Sequence, residues 1–330
     1  MGILVTGGAG YIGSHMALEL VEAGEEIVVL DNLSTGFRWA VPEAAAFVEG
    51  NVGDVELVSR LLTDRKIDAI LHFAGSIIVP DSLTDPLGYY RNNTCNARNL
   101  LGCGVEASVP HFIFSSTAAV YGVPEINPIP EEAKLQPISP YGSSKLMTET
   151  MLADTARAHP LRFAALRYFN VAGADPKGRS GQSTPRATHL IKVAAEAASG
   201  LRPALDVYGT DYDTPDGTCV RDYIHVTDLA RAHLDALRYL RAGGESAVLN
   251  CGYGKGFSVF EVVDAVKRVS GTDFPVRTAD RRPGDPPSLV ACAGRIREVL
   301  GWEPRLDDLD TIVRHALDWE ETLKSRRGAG

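Results

Sequence analysis

Three glycines at intervals of three, Gly7, Gly10 and Gly13, follow an apolar run at residues 3–6 and open an amphipathic stretch at 12–22. No other feature restricts the fold of this chain so strongly. Without Cβ atoms the turn can be tight and an anionic group can approach the backbone, where a helix start offers free N–H groups and the positive end of its dipole. Glycines alone are a weak signal in a chain that holds 32 of them. The strand before and the helix after make G-x-x-G-x-x-G read as a dinucleotide-binding turn. A second apolar run, 27–30, leads into Asp31, eighteen positions beyond Gly13. That is near the ~20 at which an acidic residue meets the adenosine ribose. A carboxylate there repels a 2′-phosphate, so the expected cofactor is NAD rather than NADP.

Further short apolar runs at 69–73, 112–115 and 162–166 alternate with helical spacing at 12–22, 55–63, 90–106 and 141–158. Nearly uniform hydrophobicity marks strands buried on both faces. The βαβα alternation predicts an α/β fold with a doubly wound, Rossmann-type parallel sheet. After residue 170 the texture changes. Residues 173–184 are rich in Gly, Ser and Pro, polar loops follow at 211–217 and 281–287, and helical spacing returns near 187–199, 226–241, 258–270 and 308–322. The expected division is an NAD-binding domain over 1–170 and a smaller C-terminal substrate-binding α/β lobe over 171–330, with few strands in it.

Charge and composition exclude other classes. The 330 residues carry 33 Lys and Arg against 42 Asp and Glu, a net charge of −9. Such a chain lacks the basic field of a non-specific nucleic-acid binder. No apolar run approaches the ~18 residues of a membrane helix. The five cysteines, Cys95, Cys103, Cys219, Cys251 and Cys292, form no C-x-x-C pair. They give no metal signature and fit a reducing compartment. With no secretory signal at the N-terminus, the expected location is the cytoplasm.

The tract from Ser139 to Lys145 contains Y-x-x-x-K, Tyr141 and Lys145. Positions i and i+4 share a helix face. A free phenol, with a pKa near ~10, is a poor base at neutral pH. A neighbouring ammonium, aided by a positively charged nicotinamide, lowers that value and makes Tyr141 a base for a substrate hydroxyl as hydride leaves the same carbon. Thr117 ends the predicted strand before it, at the carboxyl edge where doubly wound sheets bind ligands. Its hydroxyl is placed to bridge the substrate oxygen and Tyr141.

On these residues the chain resembles the extended short-chain dehydrogenase/reductase superfamily and, within it, the UDP-glucose 4-epimerase family. The likeness runs through residues 7–15, 31–36, 72–75, 89–93, 112–122, 139–147, 166–170, 217–226 and 281–285. It implies that Gly7, Gly10, Tyr11, Ile12, Gly13, Asp31, Asn32, Leu33, Ser34, Thr35, Gly36, Asn51, Val52, Phe73, Ala74, Gly75, Asn92, Thr117, Tyr141, Lys145 and Phe169 hold NAD. It further implies that Thr117, Tyr141, Asn170, His189, Leu190, Tyr208, Arg221, Arg282 and Asp285 hold a UDP-sugar, the arginines suiting its diphosphate. The implied activity is reversible C4 epimerisation of UDP-galactose and UDP-glucose through a 4-keto sugar, by a homodimer paired through the helices of 90–106 and 141–158.

Some positions depart from the family pattern. Ile77 stands where a lysine often reaches the pyrophosphate, Asn51 where an aspartate binds the adenine amino group, His189 where asparagine is common, and Leu289 on a sugar-pocket wall that some members line with tyrosine. Related dehydratases carry an Asp–Glu pair directly after the threonine; Ala118 and Ala119 occupy those places here and transfer no proton. Epimerases of UDP-N-acetylhexosamines or UDP-pentoses, and more distantly a nucleotide-sugar dehydratase or oxidoreductase, are the alternatives.

Overall fold

A computed structural model of the chain describes residues 2–184, 187–282 and 285–328. Its strands begin with β1 (Gly2–Thr6), β2 (Glu26–Asp31), β3 (Ala46–Glu49), β4 (Ile67–His72), β5 (His111–Thr117) and β6 (Arg162–Tyr168). Then come β7 (Asn170–Ala172), β8 (Leu205–Tyr208), β9 (Val220–His225), β10 (Ala247–Cys251), β11 (Gly256–Ser258), β12 (Val276–Ala279) and β13 (Ser288–Leu289). The earlier helices are α1 (Tyr11–Glu22), α2 (Val55–Asp64), α3 (Val79–Thr84), α4 (Pro86–Tyr89), α5 (Asn96–Glu106) and α6 (Pro140–Ala158). The later ones are α7 (Leu190–Ala198), α8 (Val226–Arg241), α9 (Val259–Ser270), α10 (Gly294–Leu300) and α11 (Leu309–Gly328).

Seven strands make one sheet in the order β10-β6-β5-β4-β1-β2-β3, every pairing parallel. Parallel strands need helical crossovers, so both faces are covered and alternate residues of one strand enter different cores. On β1, Ile3 and Val5 pack with Met16 and Leu20 of α1 and Leu234 and Leu237 of α8. Leu4 between them packs with Val58 and Leu62 of α2, Leu100 of α5 and Leu152 of α6. Each such side chain contributes about 1.5–3 kcal/mol by leaving water. The chain works outward from β1 to β3, then restarts at β4 on the other side of β1. That reversal opens a crevice at the carboxyl ends of β1 and β4.

The second lobe centres on β9, which pairs with β7, β11 and β13; β8 and β12 form a separate pair. Helices α7, α9 and α11 cover it through Ile191, Val262, Val266, Ile312 and Val313. Helix α9 starts from a reciprocal capping box, Ser258 with Glu261, and ends at Gly271 with φ 67°, a left-handed cap that glycine adopts without steric cost.

Four expectations are corrected. Residue 170 does not bound the sheet, because α8 and β10 return from the later sequence to complete it. The second half contains β7 to β13 rather than few strands. These are short, and β9 carries Arg221 and Asp222, which break an apolar pattern. Asp222 is fully buried, accepting hydrogen bonds from the main-chain N–H groups of Tyr253, Gly254 and Ala291. The predicted helix over 187–199 begins only at Leu190, with His189 in extended backbone at its N-cap. The helix predicted over 90–106 opens with a π-helical turn, Tyr90–Cys95. Such wide turns insert a residue and re-aim the side chains around it; here Asn93 bonds back to Ser76 and Ser144. Pro283 and Gly284 of the predicted 281–287 loop lie outside the described residues.

Candidate active site

The glycine turn is built as its spacing requires. Gly7 has φ +72°, and a Cβ on it would meet the Ala74 nitrogen at 2.5 Å; one on Gly13 would meet the Gly7 carbonyl oxygen at 2.2 Å. The first helical hydrogen bond of α1 runs from Ser14 N–H to the Gly10 carbonyl at 2.9 Å. Tyr11, Ile12 and Gly13, whose N–H groups precede it, line a cleft together with Gly7 and Gly10. A bare backbone cradle with helix-start donors fits a dinucleotide pyrophosphate.

Asp31, at the end of β2, is 8% exposed and lines the same cleft. One carboxylate oxygen accepts from Ala9 N–H at 2.9 Å and the other from Leu33 N–H at 2.8 Å. The carboxylate therefore ties the glycine turn to the following loop, and its remaining lone pairs are free to accept further hydrogen bonds. Asn32, Ser34, Thr35, Asn51 and Val52 continue the wall on that side. Leu33 and Gly36 are placed differently. Leu33, at φ 55°, packs into the core beside β1, and Gly36 lies so close to Ala9 that a Cβ would meet the Ala9 carbonyl carbon at 2.8 Å. They shape the loop without lining the cleft.

Phe73, Ala74, Gly75, Ile77, Asn92 and Phe169 line the same cleft, as do Thr117, Tyr141 and Lys145. Ser139 caps α6 by accepting from Gly142 N–H at 3.2 Å, and Pro140 occupies its first turn. Three consecutive residues of β5 then meet one face of this helix. Thr117 stands beside the Tyr141 phenol on the cleft wall, Lys145 Nζ donates to the Ser115 carbonyl at 2.9 Å, and Ser116 Oγ donates to Glu149 at 2.5 Å. Glu149 is held in turn by Arg167 of β6, Nη2 to Oε2 at 2.6 Å, both side chains 5% exposed.

In the protein alone burial dominates the electrostatics. It raises the Tyr141 phenol above its ordinary value, and the neighbouring Thr117 hydroxyl acts the other way. Lys145 is itself pushed down to about 8 by burial. Its ammonium donates to the Ser115 carbonyl and lies 5.0 Å over the Phe114 ring, and in the protein alone burial outweighs whatever lowers the phenol. Beneath them His72, bonded to Thr6 Oγ1 at 2.7 Å, is driven to about 3 by burial and the charge of Lys145. It stays neutral.

The expected substrate residues fall into two groups. His189 lines the cleft, and Asn170 and Leu190 join it around an adjoining recess. Tyr208, Arg221, Arg282 and Asp285 form a cluster of their own, apart from the cleft walls. Arg282 Nε donates to Asp285 at 2.8 Å, its guanidinium lies 5.0 Å over the Tyr208 ring, and Arg221 reaches Asp285 at 4.0 Å. Leu289 packs with Ala118, Val120 and Tyr121. Sequence reasoning missed Ser115, Tyr168 and Gln182 on the cleft wall; no local motif marks them. Among the described residues no cluster of His, Cys, Asp and Glu is arranged to hold a metal, and no helix is long and apolar enough to cross a membrane.

A helix-start anion cradle and a Tyr–Lys pair meeting in one crevice of a parallel sheet define a dinucleotide-dependent enzyme of the short-chain dehydrogenase/reductase class. The chain belongs to the NAD dependent epimerase/dehydratase family, whose model matches residues 3–252, and NAD is that family's cofactor. A UDP-glucose 4-epimerase from Azospirillum brasilense is 60% identical over 99% of this chain and 94% of that protein. The crystal structure of UDP-glucose 4-epimerase from Brucella ovis in complex with NAD superposes with a TM-score of 0.93 at 47% identity, covering 96% of this chain and 97% of that one. The UDP-Glc/GlcNAc 4-epimerase of Campylobacter jejuni gives a TM-score of 0.86 at 50% identity, covering 97% and 99%.

Proposed function

We propose that the chain catalyses the reversible, NAD-dependent interconversion of UDP-galactose and UDP-glucose, with Tyr141 as the acid and base. The observation that carries this reading is the placement of Tyr141, Lys145 and Thr117 together on the wall of the cleft that begins at the glycine turn. When bound, NAD takes a hydride from C4 of the sugar and returns it to the opposite face. Tyr141 removes the proton of the 4-hydroxyl as the carbonyl forms and gives it back as the carbonyl is reduced. Thr117 Oγ1 accepts from Ala119 N–H at 3.1 Å, which leaves its own proton for the phenolate or the sugar oxygen. Lys145 holds positive charge beneath the site. Ala118 and Ala119 follow Thr117 and supply no second acid or base, which disfavours elimination of water. Asn170, His189 and Leu190 hold the substrate where the cleft meets the recess, His189 as a donor to phosphate, while Arg221 and Arg282 suit the diphosphate and Asp285 the ribose hydroxyls, with Tyr208 beside them.

Two further assignments belong to this reading. The enzyme works as a homodimer, supported by Met147 on α6, 45% exposed, and Leu87 just before the π turn, 78% exposed. It works in a reducing cytoplasm, where all five of its cysteines stay free, as they are here. The test is incubation of NAD-loaded protein with UDP-glucose, UDP-galactose, their N-acetylated counterparts and UDP-pentoses, with chromatographic resolution of products. UDP-hexose interconversion supports the reading; its absence sinks it, and turnover of N-acetylated or pentosyl substrates alone moves the assignment to those sugars.

A further inference from the structure

Gln182 and His189 flank the segment that leads into α7, and their side chains meet over the cleft. Gln182 Nε2 lies 2.7 Å from His189 Nδ1, and Gln182 is 6% exposed. Both residues line the cleft that holds Tyr141, and both also line the recess shared with Asn170 and Leu190. With the Gln182 amide nitrogen turned to the ring, His189 Nδ1 is the acceptor, which puts the proton of the neutral ring on Nε2. Burial keeps that ring neutral by lowering its pKa. The charged groups of the recess do not compete for it: Lys192 is ion-paired with Glu320 and lies 3.4 Å from Glu196. Tyr223, the other titratable side chain there, is held as the neutral phenol by burial.

We propose that Gln182 is a positioning residue that fixes His189 as a neutral Nε2–H donor to a phosphoryl oxygen of the substrate's diphosphate. The inference rests on the nucleotide-sugar reading of the cleft. It adds a reason for the donor to be neutral. The sugar must turn about the diphosphate between the two hydride transfers, and a neutral donor lacks the full Coulomb attraction that a cationic one adds toward an anion. A histidine made cationic here would hold the diphosphate more tightly and with a dependence on pH.

The experiment uses NAD-loaded enzyme and UDP-glucose, whose diphosphate has no proton titrating near neutrality. Ring-nitrogen NMR, with the His189 signals assigned by their loss in His189→Asn, is expected to show the wild-type proton on Nε2. Gln182→Glu must accept from the ring, so it moves the neutral tautomer's proton to Nδ1 and favours the imidazolium. Its UDP-glucose affinity is then expected to weaken several-fold between about pH 6 and about pH 8, where that of the wild type stays flat. Gln182→Ala, which frees the ring to rotate, is expected to raise KM about fivefold while kcat changes by less than about twofold. A proton on Nδ1 in the wild type, or a Gln182→Glu enzyme with the wild-type pH profile, overturns the proposal. Normal UDP-glucose binding without interconversion would instead overturn the epimerase reading, leaving the tautomer to be judged by the NMR result.

Discussion

The Lys145 ammonium donates to the main-chain carbonyl of Ser115 at 2.9 Å, one helical turn beyond Tyr141. The lysine is 4% exposed, so it brings a buried positive charge to the floor of the cleft and anchors α6 to β5 at the same point. Its role in the site is set by where it is fixed as much as by its charge.

Burial lowers Lys145 from 10.5 to about 8, which costs the folded state about 3 kcal/mol at 1.36 kcal/mol per unit. Between these two values the unfolded chain holds more protons than the folded one, so this penalty is constant below about pH 8 and fades as pH rises toward 10.5. Lys145→Met also loses the ammonium's hydrogen bond to Ser115, worth about 2 kcal/mol for a charged donor. The variant is expected to be about 1 kcal/mol more stable than wild type at pH 7 while losing most activity. Denaturant titrations at pH 7 and pH 10 check this; a variant less stable than wild type at pH 7 contradicts it.

Asp31 holds the Ala9 and Leu33 N–H groups at 2.9 and 2.8 Å. Asp31→Asn removes the charge that repels a 2′-phosphate and one acceptor for the ribose. NAD affinity is expected to fall about tenfold and the preference for NAD over NADP to narrow by a similar factor. Calorimetric titration of both cofactors measures it, and an unchanged preference would separate Asp31 from cofactor choice.

Ile77 lines the cofactor cleft and is 46% exposed. A lysine there adds a cation within reach of an anionic ligand, worth a modest, salt-screened gain at a surface site. Ile77→Lys is therefore expected to retain several-fold more NAD through gel filtration at low salt, with the gain shrinking at high salt. Equal retention by the two proteins would show that this side chain does not matter to cofactor affinity.

Much of this site was legible because local geometry dictates it. Gly7, Gly10 and Gly13 are spaced for one turn before one helix, Asp31 sits at the next strand end, and Tyr141 and Lys145 share a helix face. What was not legible depends on contacts between distant parts of the chain. The return of β10 to the sheet edge is invisible in the apolar run 247–251 taken alone. The placement of Ser115 under Lys145, and of Gln182 against His189, arises only when separate loops converge. The shifts of Lys145 and Tyr141 in the protein alone are not legible for the same reason: both are set by burial, which no spacing reveals.

The most direct measurement compares wild type and Tyr141→Phe, each loaded with NAD, for the rate of UDP-galactose to UDP-glucose conversion. Removing a general acid–base group is expected to slow turnover about 10²–10⁴-fold, with NAD content and UDP-glucose binding close to wild type. A phenylalanine enzyme that turns over at the wild-type rate would contradict the account at its centre.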